Sequence, residues 1–498
     1  MELLGNLALG FGVAVSPVNL LFCFIGTLLG TLIGVLPGIG PLGAISMLLP
    51  ITFQFPPVTA LIMLAGIYYG AQYGGSTTSI LVNLPGETSA IVTCLDGHQM
   101  AKKGRGGAAL AVAALGSFFA GSISTLLIAV ASPPLARLGT LFQAPDYFSL
   151  MVLGLIGAVV LAHGSVIKAL GMILLGLLLG QVGTDLTTGR QRYTFGIGEL
   201  SDGIGFVTLA MGLFGVADIL MNLERSAMPR LAAVVGRLWP TREELRRAAP
   251  AVLRGTVLGS LLGVLPGGGA ILSSFTAYAL EKKVSRHPEQ FGKGAIEGVA
   301  GPESANNAGA QTSFIPMLTL GIPSNALMAL LVGAMSIFGV VPGPRIVSEQ
   351  PQLFWGLVAS MWIGNLMLLV INLPLIGLWV QMLRIPYRLL HPIILLLCCI
   401  GVYSLNGSAL EVGLMALFGI LGYALLKFGF EPAPMLLGFV LGPLMEENLR
   451  RALAVSRGDA SVFIRRPISA SLLAVSALLL LIVLLPTVKK VRQDAFQE

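Results

Sequence analysis

Two clusters of small polar residues interrupt a chain that is otherwise strongly apolar. The first is Tyr73-Gly74-Gly75-Ser76-Thr77-Thr78, with Asn83-Leu84-Pro85-Gly86-Glu87 just beyond it. The second is Glu297-Gly298-Val299-Ala300-Gly301-Pro302-Glu303-Ser304-Ala305-Asn306-Asn307, followed by Leu320-Gly321-Ile322-Pro323-Ser324-Asn325. Hydroxyls and amides donate and accept hydrogen bonds without carrying charge. Ser76, Thr77, Thr78, Asn83, Ser304, Asn306, Asn307 and Ser324 can therefore hold a carboxylate or a cation stripped of water. Glu87 and Glu303 are the acids nearest these clusters. At membrane depth such a group binds a proton or Na+ as coupling ion; at an interface it caps a half-helix instead. Glu297 stands closer to a basic loop, where capping fits better.

Four breaks interrupt the apolar chain, at Pro37-Gly38, Pro85-Gly86, Pro266-Gly267 and Ile322-Pro323, the second and fourth of them within the clusters. A helix broken inside a membrane leaves N-terminal amides, which favour an anion, and C-terminal carbonyls, which favour a cation. The backbone at Gly38, Gly40, Gly86, Gly267 and Gly269 is thus expected to contribute to a central site at hairpin tips. The bland alternative makes the breaks packing kinks and the glycines mere helix contacts.

These residues are positioned by a repeat. Gly26-Thr-Leu-Leu-Gly30-Thr-Leu-Ile-Gly34-Val-Leu-Pro37-Gly38-Ile-Gly40 recurs 229 residues later as Gly255-Thr-Val-Leu-Gly259-Ser-Leu-Leu-Gly263-Val-Leu-Pro266-Gly267-Gly-Gly269, with 11 of 15 positions identical. Small residues every fourth position let another helix backbone approach closely. At the same offset Thr77 and Thr78 fall on Asn306 and Asn307, so hydroxyls in one half would answer amides in the other.

Hydrophobic residues make up 55% of the 498, and charged residues 11%, against roughly 25% charged in a soluble domain. Stretches such as 146–162, 203–223, 353–379 and 468–488 are long enough to cross the hydrocarbon core of a bilayer. The net charge of +7 comes from short basic loops, which topology explains better than a nucleic-acid partner. Residues 96–107, 224–254 and 281–293 are read as cytoplasmic loops. The counterparts of the first and last in the other half, near 333–345 and 52–57, carry almost no charge. His163-Gly-Ser165-Val-Ile-Lys168 aligns likewise with Asn406-Gly-Ser408-Ala-Leu-Glu411, basic against acidic. Swapped charge implies repeats inverted in the membrane, with the site at their interface. The basic segment Arg450 to Arg466 resists, because this topology leaves it outside while Lys489, Lys490 and Arg492 fall inside.

Several signals are decoys. Gly38-Ile-Gly40-Pro-Leu-Gly43 has dinucleotide-fingerprint spacing but no βαβ context. His98, His163, His287 and His391 lack metal-ligand spacing, and Cys23, Cys94, Cys398 and Cys399 read as buried thiols. No cleavable signal is expected at the start.

The motifs Gly34-Val-Leu-Pro-Gly38, Tyr73-Gly-Gly-Ser-Thr-Thr78, Asn83-Leu-Pro-Gly-Glu87, Glu297-Gly-Val-Ala-Gly-Pro-Glu-Ser-Ala-Asn-Asn307 and Leu320-Gly-Ile-Pro323 resemble the large membrane subunit of the tripartite tricarboxylate transporter family. The resemblance implies a bacterial inner-membrane symporter driven by Na+ or H+. It implies a small four-helix membrane subunit and a periplasmic solute-binding protein as partners, and citrate or another di- or tricarboxylate as substrate. The resulting expectation is an all-α polytopic membrane protein of about 12 transmembrane segments with re-entrant hairpins. Its parts are a first membrane repeat (1–223), a basic cytoplasmic linker (224–254), a second repeat (255–450) and a C-terminal segment with a final helix (451–498). No enzymatic chemistry and no cofactor beyond Na+ is expected. A passive channel or scaffold for small anionic solutes is the alternative. The hairpins are expected to move as a unit against a fixed scaffold.

Overall fold

The computed structural model describes residues 2–36, 40–161, 165–185, 187–224, 235–265, 269–383 and 387–484. The expectations placed on Gly38, Gly267, His163 and the basic tail from Lys489 lie outside these residues. The chain is almost wholly helical. The first half comprises α1 (Glu2–Ala14), α2 (Pro17–Val35), α3 (Pro41–Thr52), α4 (Pro57–Val82), α5 (Ile91–Lys102), α6 (Gly106–Gly139), α7 (Ala144–Leu161), α8 (Val166–Leu179) and α9 (Phe206–Glu224). The second comprises α10 (Arg242–Val264), α11 (Gly269–Val284), α12 (Glu297–Thr312), α13 (Phe314–Leu320), α14 (Ala326–Ile337), α15 (Pro351–Asn372), α16 (Ile376–Met382), α17 (Tyr387–Asn406), α18 (Ala409–Lys427), α19 (Ala433–Val455) and α20 (Pro467–Leu484). The only strands among the described residues, β1 (Gly183–Thr184) and β2 (Gln191–Arg192), pair antiparallel in the loop after α8.

Five helices are long and apolar enough to cross a membrane, namely α2, α6, α9, α15 and α18, and seven shorter apolar helices accompany them. Ile167, Leu174, Leu178, Ile420 and Leu481 project outward from α8, α18 and α20, where lipid rather than water is the compatible solvent.

The glycine repeat does what its spacing demands. A Cβ on Gly26, Gly30 or Gly34 would stand 2.3 Å from the carbonyl oxygen of Met63, Ile67 or Ala71. Because both series climb together, α2 and α4 run parallel in backbone contact, and α3 returns between them. Gly255, Gly259 and Gly263 press equally against Gly301, Ala305 and Gly309, so α10 and α12 form the matching pair.

This packing corrects one expectation. Ala71 answers to Gly309, so the offset between the halves is 229 in the first helix but 238 in the second. The connection after α11, residues 285–296, is longer than the turn 53–56 after α3, and the register slips accordingly. Thr77 and Thr78 therefore correspond to Ile315 and Pro316, not to Asn306 and Asn307. At the new offset Asn83 (φ 58°) matches Gly321 (φ 73°), Pro85 matches Pro323, and Glu87 matches Asn325.

Two loop boundaries also shift. Residues 96–102 of the stretch read as a loop at 96–107 are helical, the second half of α5. Residues 242–254, assigned to the linker, are the first half of α10, which starts at a capping box in which the Thr241 hydroxyl accepts from the Glu244 amide. The short segment 3–15 is helix α1, whose Gly10 abuts the carbonyl of Trp355.

Basic segments gather at one end. Lys103 donates to the carbonyl of Lys293 at 2.6 Å, and Arg105 pairs with Glu244 at 2.6 Å. Arg247 grips Glu297 through two hydrogen bonds of 2.7 and 2.9 Å. Buried Asp96 accepts from the amides of Gly294 and Ala295 and from the Tyr278 hydroxyl. At the far end the turn 53–56 meets the counterpart of the 96–107 region, with Phe53 and Phe338 ring centroids 5.1 Å apart.

Candidate substrate and ion site

Helices α4 and α12 cross at the centre. Ser76 donates to Glu303 Oε2 at 2.6 Å, and Gln72 to Asn306 Oδ1 at 3.4 Å. Rising numbers in α4 meet falling numbers in α12, so the two helices are antiparallel. Both are buried over their whole contact, an environment in which every polar group needs a partner.

Beyond the crossing each arm breaks. After α4, Asn83 takes a left-handed conformation and turns the chain back down to the level of Gly75. A Cβ on Gly86 would lie 2.4 Å from the Cα of Gly75 and 2.6 Å from the carbonyl oxygen of Gly34. Only glycine permits this descent, which delivers Glu87 into the interior. After α13, Gly321 performs the same reversal and delivers Asn325, whose amide nitrogen lies 3.3 Å from Ser313 Oγ. The two tips differ in use. Asn325 caps α14, accepting from the amides of Leu327 and Met328 at 3.0 Å each. Glu87 instead accepts from Asn306 Nδ2 at 3.0 Å.

A cavity of about 430 Å³ joins these features. Its wall includes residues 40–42 at the start of α3, 269–271 at the start of α11, 85–89 with Ile91 at the start of α5, and 325–327 at the start of α14. Four helix N-termini, two from each half, therefore end on one space. All four carry the positive end of a helix dipole, and first-turn N–H groups lack intrahelical partners, those of Leu327 and Met328 in α14 being taken by the Asn325 side chain. The opposite wall comes from α7, α9, α18 and the segment entering α19, and brings Asp218 and Glu431. Among the described residues the lining holds three acids, Glu87, Asp218 and Glu431, and no lysine or arginine.

A sequence model of the tripartite tricarboxylate transporter TctA family matches residues 20–437. The chain belongs to that family. TctA proteins are membrane components of tricarboxylate transporters, so the cavity sits in a multi-pass membrane transporter subunit. Among relatives, an uncharacterized 52.8 kDa protein in the TAR-I ttuC' 3' region of Agrobacterium vitis is 61% identical over 499 residues, covering 100% of this chain and 99% of its own. An uncharacterized protein in the TAR-II ttuC' 3' region of the same organism is 60% identical over 240 residues, covering 48% of this chain and 99% of its own. No solved structure matches this TctA-family chain.

Within this subunit the residues singled out from sequence divide into two groups. Gly40, Gly86, Glu87 and Gly269 line the cavity. Ser76, Thr77, Ser304, Asn306, Asn307 and Glu303 are gathered behind it at the helix crossing and do not line it. There Glu303 also accepts from Thr93 on α5, Asn307 donates to Ser117 on α6 at 2.6 Å, and Ser304 bonds back to Ala300 at 2.8 Å. The Thr78 hydroxyl is taken by the carbonyl of Val35 at 2.8 Å, fastening α4 to the end of α2. Asn83 acts through its backbone as the turn residue, and Ser324 stands next to the capping Asn325. Among the described residues no Lys, Arg or His pairs with Glu87 or Glu303.

Sequence reading passed over Asn325, Gln72, Thr93, Ser117, Asp218 and Glu431 as site residues. The proline matched in Asn83-Leu-Pro-Gly-Glu87 and Gly321-Ile-Pro-Ser-Asn325 was the signal that could have found Asn325. Ser117 and Asp218 come from helices, and Glu431 from the connection before α19, all outside both motifs.

Proposed function

We propose that this protein is the large permease subunit of a secondary active transporter that imports a di- or tricarboxylate such as citrate across the bacterial inner membrane. The observation that carries this reading is the convergence of four helix N-termini on one cavity whose described lining has no lysine or arginine. That is a site for an anion held by backbone amides, and about 430 Å³ falls in the range of small-molecule pockets. Glu87 in the same wall, which pairs with no basic side chain among the described residues, opposes a bare anion, so a cation or proton enters with it. The coupling ion is Na+ or H+.

Two inverted repeats agree with the antiparallel crossing of α4 and α12, each paired in parallel with its own glycine helix. With the basic end cytoplasmic, α10 and α11 form a hairpin that enters from inside, and α2 and α3 one that enters from outside. The small four-helix membrane subunit and the periplasmic solute-binding protein belong to this reading as partners. The experiment is uptake of a labelled carboxylate panel into inverted and right-side-out vesicles, with the binding protein supplied and Na+ or proton gradients imposed separately. Accumulation above equilibrium that collapses with one gradient is expected. Uptake that only equilibrates and ignores both gradients would make the protein a channel.

A further inference from the structure

The polar residues behind the cavity surround a second, much smaller space. A crevice of about 20 Å³ lies between α4, α6, α15 and the turn into α16, with Tyr73, Ser76, Thr77, Ser117 and Asn372 on its wall among leucine, alanine and isoleucine side chains. That volume admits one water-sized occupant and excludes any carboxylate. All five polar residues are at least nine-tenths buried or nearly so, Asn372 and Tyr73 being 5% exposed.

The hydrogen-bond inventory gives the crevice a sign. Ser76 spends its proton on Glu303 Oε2 at 2.6 Å, Thr77 on the carbonyl of Tyr73 at 3.2 Å, and Ser117 on the carbonyl of Glu303 at 3.4 Å. Each hydroxyl owns one proton, so the oxygens of Ser76 and Thr77 are left as acceptors, while that of Ser117, which already accepts from Asn307 Nδ2 at 2.6 Å, keeps one lone pair. Asn372 donates through Nδ2 to the carbonyl of Leu368 at 2.9 Å, and its Oδ1 has no partner. The Tyr73 hydroxyl has none either. Unpaired buried polar atoms of this kind are rare and point to an occupant. One hydrogen bond away lies Glu303, 1% exposed and without a basic partner among the described residues, so a buried carboxylate stands beside an acceptor-rich hole.

We propose that this crevice binds a single dehydrated monovalent cation of the size of Na+, separately from the carboxylate. Ser76, Thr77, Ser117, Tyr73 and Asn372 would supply neutral oxygens, and Glu303 the balancing charge. The inference rests on the reading of the chain as an ion-coupled transporter and specifies where its coupling ion sits. Because the oxygens come from α4, α6 and α15, the bound ion ties the crossing of the two halves to the helices around it.

The test uses the purified full-length protein without any carboxylate. Thermal unfolding is followed against NaCl, with choline chloride holding ionic strength constant, and binding of radioactive Na+ is measured in parallel. A saturable Na+-specific rise in Tm is expected. Asn372→Leu and Ser117→Ala should each raise the half-saturating Na+ concentration tenfold or more. Absence of both Na+-specific stabilisation and Na+ binding in the wild-type protein would overturn the proposal and leave a water-filled gap, and so would variants that keep the wild-type midpoint. If these variants fold poorly, Tyr73→Phe, which removes a hydroxyl without a protein partner, carries the same expectation and the same contrary result. Gradient-driven carboxylate uptake without Na+ binding sinks the cation site and spares the transporter reading; Na+ binding without uptake of any carboxylate does the reverse.

Discussion

Gly34, Gly75 and Gly86 come together so tightly that a side chain on Gly34 or Gly86 has nowhere to go. A Cβ on Gly34 would meet the carbonyl oxygen of Ala71 at 2.3 Å, and that oxygen belongs to a helix backbone that cannot rotate aside. In lipid no hydrophobic gain drives helices together, so close backbone packing carries the association. Gly34→Val is therefore expected to lower the Tm of the detergent-purified protein and its yield in membranes, with a cost of at least about 1–3 kcal/mol as for other overpacked interiors. Gly12→Ala, which meets nothing within 4 Å, should leave both unchanged. An unaltered Tm in Gly34→Val would mean that α2 and α4 do not touch as described. The four-residue glycine spacing announced this packing in the sequence. The contact of Gly86 with Gly75 was not legible there, because it depends on the reversal at Asn83, a conformation that asparagine tolerates without declaring it.

At the scale of elements, the helical hairpins and the four breaks could be read from the repeat, but their partners across the molecule could not. A fixed offset of 229 paired Thr77 with Asn306, whereas the longer connection 285–296 slides α12 along α10 and pairs Glu87 with Asn325. Motif identity holds only as far as the next insertion, and helix contacts set the register after that. Ser76 and Asn306 still meet at the crossing, since antiparallel helices that cross at their middles bring polar residues together from either register. The hairpins also touch the surrounding scaffold at defined points. A Cβ on Gly401 of α17 would stand 3.1 Å from the Cβ of Pro50 in α3, slightly inside the disulfide range of about 3.5–4.5 Å. In a background without the native cysteines, Pro50→Cys with Gly401→Cys is expected to oxidise readily, to lose carboxylate uptake when oxidised and to regain it on reduction. Full uptake in the oxidised state would show that this hairpin does not move against α17 during transport.

At the scale of the whole molecule, the basic segment near Arg450, which stands against the expected topology, is laced with acidic partners. Arg450 pairs with Asp185 at 3.2 Å and Glu446 at 2.5 Å, Arg451 with Glu447 at 2.5 Å, Arg465 with Asp459 at 3.2 Å, and Arg466 with buried Asp146 at 2.7 Å. These pairs tie the segment to α7 and to the loop after α8. The same global arrangement, two halves meeting antiparallel, brings four helix N-termini to one cavity. The central claim is that these ends, and no basic side chain, hold the anionic substrate. Ala270→Asp tests it most directly, because an acid in the first turn of α11 favours that helix yet places negative charge in the cavity wall. With a repulsion of about 4 kcal/mol between unit charges 4 Å apart at an effective dielectric of 20, equilibrium binding of labelled carboxylate to the purified protein should weaken on the order of 100-fold or more. Tm should stay at or above the wild-type value, and Ala270→Asn should bind within a few-fold of wild type. Wild-type affinity in Ala270→Asp would contradict the account, because it would place the anion somewhere other than at the converging helix ends.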